Sequence, residues 1–207
     1  GKYGNGMEFE GEGDYAQLSN MSLGYDKFTI SAWIKKESLD ITGYIIGLCD
    51  DPNSACSGGD YKAYRLGIDS NNKVRLSYSD SSWSTNSIDT SSSSILITDN
   101  DWHHVVAVVD TNPDGAKLYV DGVESTTTNN NLGDVGINFA GRPVIGASFG
   151  EYDDTTASHF NGSIDEVMIY SRALAPEEIR THYLRGSGFG SMGAITADKF
   201  RVVNTSG

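Results

Sequence analysis

The stretch DWHHVVAVVDTNPDGAKLYVDGVE, residues 101–124, carries the pattern that decides the fold. It contains a run rich in β-branched residues at 102–110, a turn-forming segment, and a second short apolar segment at 116–120. The pair Asp121-Gly122 follows immediately, and an Asp-Gly pair tolerates the positive φ values of a type I′ turn between antiparallel strands. The stretch therefore predicts neighbouring strands of an antiparallel sheet.

Short segments of the same kind recur on both sides of this stretch. At residues 28–35 apolar residues alternate with polar residues and Trp33, so one face of that strand is predicted to be aliphatic. The Ser- and Thr-rich stretches at 79–94 and 125–131 are interpreted as long loops or polar edge strands. A second hairpin is predicted to join 64–68 to 74–78, and the other predicted strands are 6–9, 15–17, 43–48, 144–147 and 162–170.

One short helix is predicted near the C-terminal end. Pro176 suits the first helical position, and Glu177 and Glu178 suit the positive end of the helix dipole. Gly186 or Gly188 is expected to end the helix. Residues 189–207 are interpreted as a linker or the start of a further module, with one or two short strands at 198–203.

Composition narrows the class of protein. The 207 residues carry 28 acidic and 15 basic side chains, a net charge of −13, which disfavours a nucleic-acid partner or an anionic membrane surface. Turn-forming Gly, Ser, Thr, Asn and Asp make up nearly half of the chain, which excludes a mostly helical protein. The longest apolar run, residues 105–109, is far shorter than the roughly twenty residues of a transmembrane helix, so no membrane insertion is expected.

Cys49 and Cys56 flank a short polar loop. We predict a local disulfide between them, which implies an oxidising compartment. Half of a metal site and two free thiols are the alternatives. Three Asn-X-Ser/Thr triplets, at Asn20, Asn161 and Asn204, are compatible with secretion.

Five phrases occur in an order that resembles one family. They are MEFEGEGDYAQL (7–18), FTISAWIKK (28–36), DWHHVVAVVD (101–110), KLYVDGVE (117–124) and FNGSIDEVMIYSRALAPEEIRTHY (160–183). Together they resemble the laminin-G-like, pentraxin-related jelly-roll domains of the concanavalin A-like lectin/glucanase superfamily. The resemblance implies an all-β sandwich of two antiparallel sheets over residues 1–188, with the first and last strands adjacent.

The resemblance also implies a function. Such domains mostly act as carbohydrate-recognition or adhesion modules of larger secreted proteins, often with calcium. We therefore expect an extracellular or cell-surface, non-catalytic module whose partner is a glycan or an extracellular protein. The alternatives are a structural subunit of a surface or filament assembly, self-assembling through residues 189–207, and, more distantly, a glycoside hydrolase.

A calcium site is predicted around the loop at residues 10–14. Its carboxylates and glycine-flanked carbonyls are the oxygen ligands that calcium prefers, and the resemblance implies that the last strand brings Asp165 alongside. The predicted ligands are Asp14, Asp165 and Glu10. In the alternative interpretation, Asp14 caps a turn and Asp165 makes a hydrogen bond or ion pair without metal.

Exposed aromatic residues are the predicted glycan contacts, because sugars stack on aromatic rings while polar side chains bind the hydroxyls. Trp83 lies in a polar segment and is predicted to form a surface on which a sugar stacks. The alternative is that its indole packs between a loop and the sandwich. Trp33 and Trp102 are expected to pack in the core. The other predicted platform and rim residues are Tyr61, Tyr64, Tyr78, Tyr152 and Asp60.

Catalysis is not expected. Glu8, Glu10 and Glu12 alternate as a glycosidase pair would, but in the resembled family this phrase is the first strand and its loop. Asp165 and Glu166 are successive and are expected to face opposite ways. His103 and His104 cannot converge on one metal from a regular strand, and in the resembled family this phrase is structural.

Overall fold

The computed structural model of the chain describes residues 1–11, 13–19, 21–23, 27–38, 42–49, 63–79, 85–90, 95–110, 115–125, 127–128, 139–141, 143–147, 159–187 and 200–201. In chain order the strands are β1 (Met7–Glu10), β2 (Ala16–Gln17), β3 (Met21–Leu23), β4 (Lys27–Lys36), β5 (Gly43–Cys49), β6 (Ala63–Ile68), β7 (Val74–Ser79), β8 (Thr85–Thr90), β9 (His103–Asp110), β10 (Gly115–Val120), β11 (Val123–Ser125), β12 (Thr127–Thr128), β13 (Phe139–Gly141), β14 (Val144–Ile145), β15 (Asn161–Tyr170) and β16 (Phe200–Arg201). The helix α1 spans Pro176–Gly186 and lies between β15 and β16.

Two seven-stranded antiparallel sheets form the sandwich. The first has the order β1-β15-β4-β9-β10-β11, with β16 also pairing with β15. The second has the order β12-β8-β7-β6-β5-β14-β2, and β13 and β3 form a small separate pair. Pairing of β1 with β15 confirms that the first and last strands of the family pattern are adjacent.

The core lies between the two sheets and follows the alternation seen in the sequence. Phe28, Ile30, Ala32 and Ile34 of β4 are all buried, as predicted for its aliphatic face. Side chains from the facing sheet, including Leu66 of β6, complete the same cluster. The sandwich is therefore a direct consequence of period-two burial in both sheets.

The predicted turn and helix are confirmed. Asp121 and Gly122 have φ values of +51° and +76°, as the turn between β10 and β11 requires. Helix α1 begins at Pro176, as expected, and packs through Ile179 on the outer face of the first sheet. No helix in the described part of the chain is both long and apolar enough to cross a membrane.

Several short strands were not predicted, because two or three residues carry too little alternation to be recognised. The polar strand β8 lies within the Ser-rich stretch at 79–94 and pairs with β12 at the edge of the second sheet. This supports the edge-strand interpretation of both low-complexity stretches. β16 lies within the predicted strand region at 198–203, while a role of residues 189–207 in assembly stays a prediction.

Candidate functional site

The outer face of the second sheet carries a groove built by β5, β6 and β7. On these strands one set of side chains, such as Leu66 and Leu76, enters the core. Alternation then places Arg65, Gly67 and Arg75 on the opposite face. Both arginines are partly exposed.

Strand register brings three of the outward positions into one row. Gly67 pairs with Tyr44 of β5 on one side and with Arg75 of β7 on the other. The register between β5 and β6 shifts just after Tyr44, so Ile45 and Ile46 both enter the core while Tyr44 stays outside. A phenol and a guanidinium therefore flank a residue without a side chain.

The glycine in the middle of this row is required by close packing. A Cβ atom at residue 67 would lie 2.5 Å from the carbonyl oxygen of Gly43 and 3.1 Å from Cδ1 of Tyr44. The groove has a volume of about 210 Å³. Its lining residues are Thr42, Gly43, Tyr44, Gly67, Ile68, Asp69, Ser70 and Arg75.

One wall of the groove is a turn held by a carboxylate. Asp69 Oδ1 accepts hydrogen bonds from the backbone N–H groups of Asn71, at 2.8 Å, and Lys73, at 2.9 Å. Asn72 takes a positive φ of +61° in the same turn. The predicted hairpin between 64–68 and 74–78 is thereby confirmed, and its turn is rigidly placed beside the groove.

The groove combines an aromatic ring with hydrogen-bonding groups of both kinds. Tyr44 offers an apolar surface, Arg75 offers several N–H donors, and Ser70 and Thr42 offer hydroxyls. This set suits a ligand that has apolar ring faces and many hydroxyl groups.

A sequence profile that matches most of the chain identifies the family to which it belongs. The profile described as the concanavalin A-like lectin/glucanases superfamily matches residues 10–180. The chain belongs to this superfamily. The laminin-G-like jelly-roll assignment drawn from the five phrases is thus confirmed, whereas no curated protein matches the chain in sequence.

Solved structures of the superfamily fold resemble the chain over most of its length. A heptameric SAP-like pentraxin from Limulus polyphemus is 21% identical, with a TM-score of 0.58 over 85% of this chain and 80% of that chain. Domain 4 of an extracellular GH43 arabinanase from Geobacillus stearothermophilus, in complex with arabinotriose, is 25% identical, with a TM-score of 0.62 over 87% and 77%. The CBM40 domain of an IT-sialidase from Ruminococcus gnavus, bound to α2,3-sialyllactose, is 14% identical, with a TM-score of 0.59 over 81% and 98%.

The predicted role of Tyr64 as a glycan platform is wrong. Its side chain is 2% exposed and packs edge-on against Phe28, with ring centroids 4.8 Å apart. Tyr64 pairs with Leu48 and Tyr78 and belongs to the inward set of β6. Tyr44, on the outward set of β5, is the tyrosine that reaches the groove, and sequence reasoning missed it.

Most of the other predicted site residues are not placed by the structure. Trp83, Tyr61, Tyr152, Asp60 and Cys56 lie outside the described residues. For Tyr78 and Cys49 the structure describes the backbone strand only. The aromatic platform formed by these residues and the disulfide between Cys49 and Cys56 stay predictions.

Of the two tryptophans that the sequence predicts to be buried, Trp33 is buried and Trp102 is not. Trp33 is 4% exposed, but it lies on the outer face of the first sheet, where it stacks on Tyr183 of α1 at a centroid distance of 5.8 Å. Trp102 is only partly buried, just before β9.

The register separates the predicted calcium ligands. Glu10 pairs with Asn161, whereas Asp165 follows Ile164, the partner of Met7. Because the strands are antiparallel, the turn at Asp14 extends beyond the Asn161 end, about 13 Å from Asp165 along the strand.

Both aspartates already bind backbone N–H groups. Asp14 Oδ2 accepts from Glu10 N at 3.0 Å, and the two oxygens of Asp165 accept from Tyr3 N and Glu166 N, each at 2.8 Å. No group of three or more His, Cys, Asp or Glu side chains in the described part of the chain is arranged to hold a metal ion. The geometry does not fit a calcium ion shared by Asp14 and Asp165, and calcium binding elsewhere on the chain stays a prediction.

The prediction that Asp165 and Glu166 face opposite sides of the sheet is wrong, because both lie on the outer face. Asp165 pairs with Trp33 and Met168 pairs with Ser31, so two residues of β15 oppose one residue of β4 between these pairs. Glu166 takes a φ of +48° in this bulge and lines a cavity on the same outer face as Trp33. A β-bulge breaks the alternation on which the expectation was based.

The two adjacent histidines are structural and point to different partners. His103 lies between two carboxylates, with Nδ1 2.8 Å from Asp121 Oδ2 and Nε2 2.8 Å from Asp99 Oδ1. Burial opposes protonation of His103, but the hydrogen bonds to Asp121 and Asp99 outweigh it and raise its pKa. His104 is buried, and its Nε2 lies 2.8 Å from Ser31 Oγ.

Proposed function

We propose that the chain is a non-catalytic carbohydrate-binding module that holds a glycan in the groove on the outer face of the second sheet. The observation that carries the proposal is the row formed by Tyr44, Gly67 and Arg75, in which an aromatic ring and a guanidinium flank a gap. A sugar ring stacks on the phenol, and the guanidinium donates to its hydroxyls.

The comparisons support the ligand class. The arabinanase domain and the CBM40 domain are sandwiches of the same fold whose structures contain arabinotriose and sialyllactose. Both are binding partners of glycans in those complexes, and the family profile covers this chain from residue 10 to residue 180. The charge of −13 further favours a neutral glycan over an acidic polymer.

Three finer points belong to the same proposal. The module acts outside the cell, as the resemblance to secreted domains implies. It mediates attachment or adhesion of a larger protein to a glycan-bearing surface. Calcium stabilises it at a site other than the Asp14–Asp165 pair.

A glycan array followed by titration calorimetry tests the proposal. The array includes arabino-oligosaccharides and sialyllactose, and the hits are titrated against the unaltered chain and the variants Tyr44→Ala and Arg75→Ala. We expect each variant to weaken binding at least about tenfold, because each removes one of two dominant contacts.

Two exposed residues elsewhere provide matched controls. Tyr15 is 52% exposed and Arg180 lies on the exposed face of α1, so Tyr15→Ala and Arg180→Ala should bind like the unaltered chain. Binding that survives in both groove variants would place the site elsewhere. An array with no hit at all would reject carbohydrate binding itself.

A further inference from the structure

One lysine occupies a position at which the strand pattern places apolar residues. Lys36 ends β4 and follows Ile30, Ala32 and Ile34 on the face that enters the core. Only 1% of its surface is exposed. Removing an ammonium from water is costly unless hydrogen-bond acceptors surround it. The acceptors around Lys36 therefore show which parts of the fold it holds together.

These acceptors lie in a hairpin turn of the opposite sheet and in a neighbouring segment. Lys36 Nζ donates to Asn72 Oδ1 at 2.5 Å and to the carbonyl oxygen of Ile97 at 2.7 Å. Asn72 lies in the turn between β6 and β7, so the first of these bonds connects the first sheet to the second. Ile97 is itself buried in the core, which fixes the second acceptor in place.

The backbone of Asn72 is bonded on both sides of the same turn. Its N–H donates to the carbonyl oxygen of Asp69 at 3.0 Å, and its carbonyl oxygen accepts from the N–H of Ile97 at 3.0 Å. Its φ of +61° is a left-handed conformation that asparagine tolerates better than most residues. Lys36 thus holds the turn at the residue whose backbone conformation shapes it.

The turn held in this way forms a wall of the groove. Asp69 and Ser70 line the groove, and the carboxylate of Asp69 accepts from the N–H groups of Asn71 and Lys73. Ser70 and Asn71 are exposed, and exposed connections of this kind are ordinarily more mobile than the strands that they join. A buried anchor from the other sheet limits the movement of this wall.

We propose that Lys36 is a positioning residue for the groove, which fixes Asp69 and Ser70 through Asn72 without touching the ligand. This role rests on the proposed glycan site and adds a residue from the first sheet to a site built on the second. Affinity is higher when the wall is already in place, because binding then does not have to order the turn.

Asn72→Gly tests the link with little disturbance of the turn. Glycine adopts a positive φ readily, so the backbone is kept while the acceptor for Lys36 is removed. Without glycan, we expect hydrogen exchange at the N–H groups of Asn71 and Lys73, followed by NMR, to become at least about tenfold faster. In titration calorimetry, we expect the Kd for glycan to rise about fivefold. The probes are arabinotriose, α2,3-sialyllactose and any further glycan that the array identifies.

Lys36→Met tests the same link from its other end. It removes the ammonium and keeps an unbranched apolar side chain in the core. If both substitutions act through one hydrogen bond, the Kd of Lys36→Met/Asn72→Gly should equal that of the weaker-binding single variant, whereas independent effects would multiply. If Lys36→Met does not fold, Asn72→Gly alone decides.

Two controls separate positioning from a general loss of stability. Ile30→Val opens a small cavity in the core six residues along β4 from Lys36. It should lower stability while it leaves the Kd and the exchange of the turn unchanged. Asn71→Ala removes an exposed amide from the turn itself and should also leave both unchanged.

The outcomes distinguish this role from the glycan site on which it rests. Unchanged exchange in Asn72→Gly, or faster exchange with an unchanged Kd, would overturn the role of Lys36. If Tyr44→Ala and Arg75→Ala lose affinity while Asn72→Gly does not, the groove stands and the positioning role is rejected. If Tyr44→Ala and Arg75→Ala bind like the unaltered chain, the groove itself is rejected, and the role of Lys36 in binding with it.

Discussion

Tyr44 lies against Gly67 so closely that a Cβ atom at residue 67 would be 3.1 Å from Cδ1 of the ring. The same Cβ would be 2.5 Å from the carbonyl oxygen of Gly43, which is backbone and cannot move aside easily. The ring position in the groove therefore depends on a missing side chain in the neighbouring strand.

The first prediction is that Gly67→Ala damages both stability and binding. Crowding of this kind should lower the free energy of unfolding by about 1–3 kcal/mol, and displacement of the Tyr44 ring should weaken glycan binding. Urea denaturation and titration calorimetry measure the two effects. Gly13→Ala is the control, since a Cβ there meets nothing within 4 Å although φ is +78°; it should cost some stability but no affinity. Equal affinity in both variants would contradict the prediction.

The second prediction concerns the start of α1. Glu178 accepts from Arg172 at 2.8 and 2.7 Å and from the backbone N–H of Ala175 at 2.9 Å. The hydrogen bonds from Arg172 lead the effects that lower the pKa of Glu178 to about 2. Because the folded pKa lies below the ordinary value of 4.5, the stabilisation is present above that value and is lost as pH falls towards 2.

Glu178→Gln should therefore lower stability at neutral pH by about 1 kcal/mol, a modest value because the Arg172 side chain is 46% exposed. Thermal unfolding measures the change. Glu177→Gln, in the same helical turn, is the matched control and should have a smaller effect. A loss that does not diminish in acid would argue against the ion pair as its cause.

The third prediction is that deprotonation of His103 lowers the stability of the fold as pH rises. Although burial opposes it, the hydrogen bonds to Asp121 and Asp99 raise the pKa of His103 above its ordinary value of 6.5. A raised folded pKa means that the stabilisation is full below 6.5 and is lost as pH rises through the folded value. His103→Gln should abolish this pH-dependent part of the unfolding free energy, and an NMR titration of His103 that gives a pKa below 6.5 would contradict it.

The fourth prediction has the opposite sign and concerns His104. Burial lowers its pKa from 6.5 to about 3, so in that range the unfolded chain binds the proton and the folded chain does not. Stability should fall as pH falls through this window, by an amount on the order of 5 kcal/mol in total. Urea denaturation at several acidic pH values measures this. The unfolding free energy of the Ser31→Ala/His104→Phe variant should decrease less with falling pH than that of the unaltered chain. If the unfolding free energy of both proteins depends on pH in the same way, groups other than His104 cause the loss of stability in acid.

The fifth prediction separates calcium binding from the loop at Asp14. If calcium raises the melting temperature and a chelator reverses it, the effect should survive Asp14→Asn, because the register holds Asp14 and Asp165 apart. Differential scanning calorimetry with calcium and with chelator measures this. Loss of the calcium effect in Asp14→Asn alone would restore the loop as a ligand.

Local sequence patterns were sufficient for the architecture. Alternation along β4, the Asp121-Gly122 turn and the Pro176 start of α1 each depend on neighbours in the chain, and each is present as predicted. The order of the five family phrases extended this to two sheets with adjacent first and last strands. Short-range backbone preferences and period-two burial act over a few residues, so they can be recognised in the sequence.

The sites required the tertiary structure, because they depend on register. Tyr44 and Tyr64 both lie on alternating strands, and nothing local indicates that the shift after Tyr44 leaves it outside while Tyr64 enters the core. The bulge at Glu166 likewise reverses the face expected from alternation. Pairing between strands far apart in the chain decides which side chains converge, and that information is absent from any single segment. Residues 101–124 thus determine that the chain forms antiparallel strands, while the packing of those strands against β4, β15 and α1 determines what each face of the sandwich can bind.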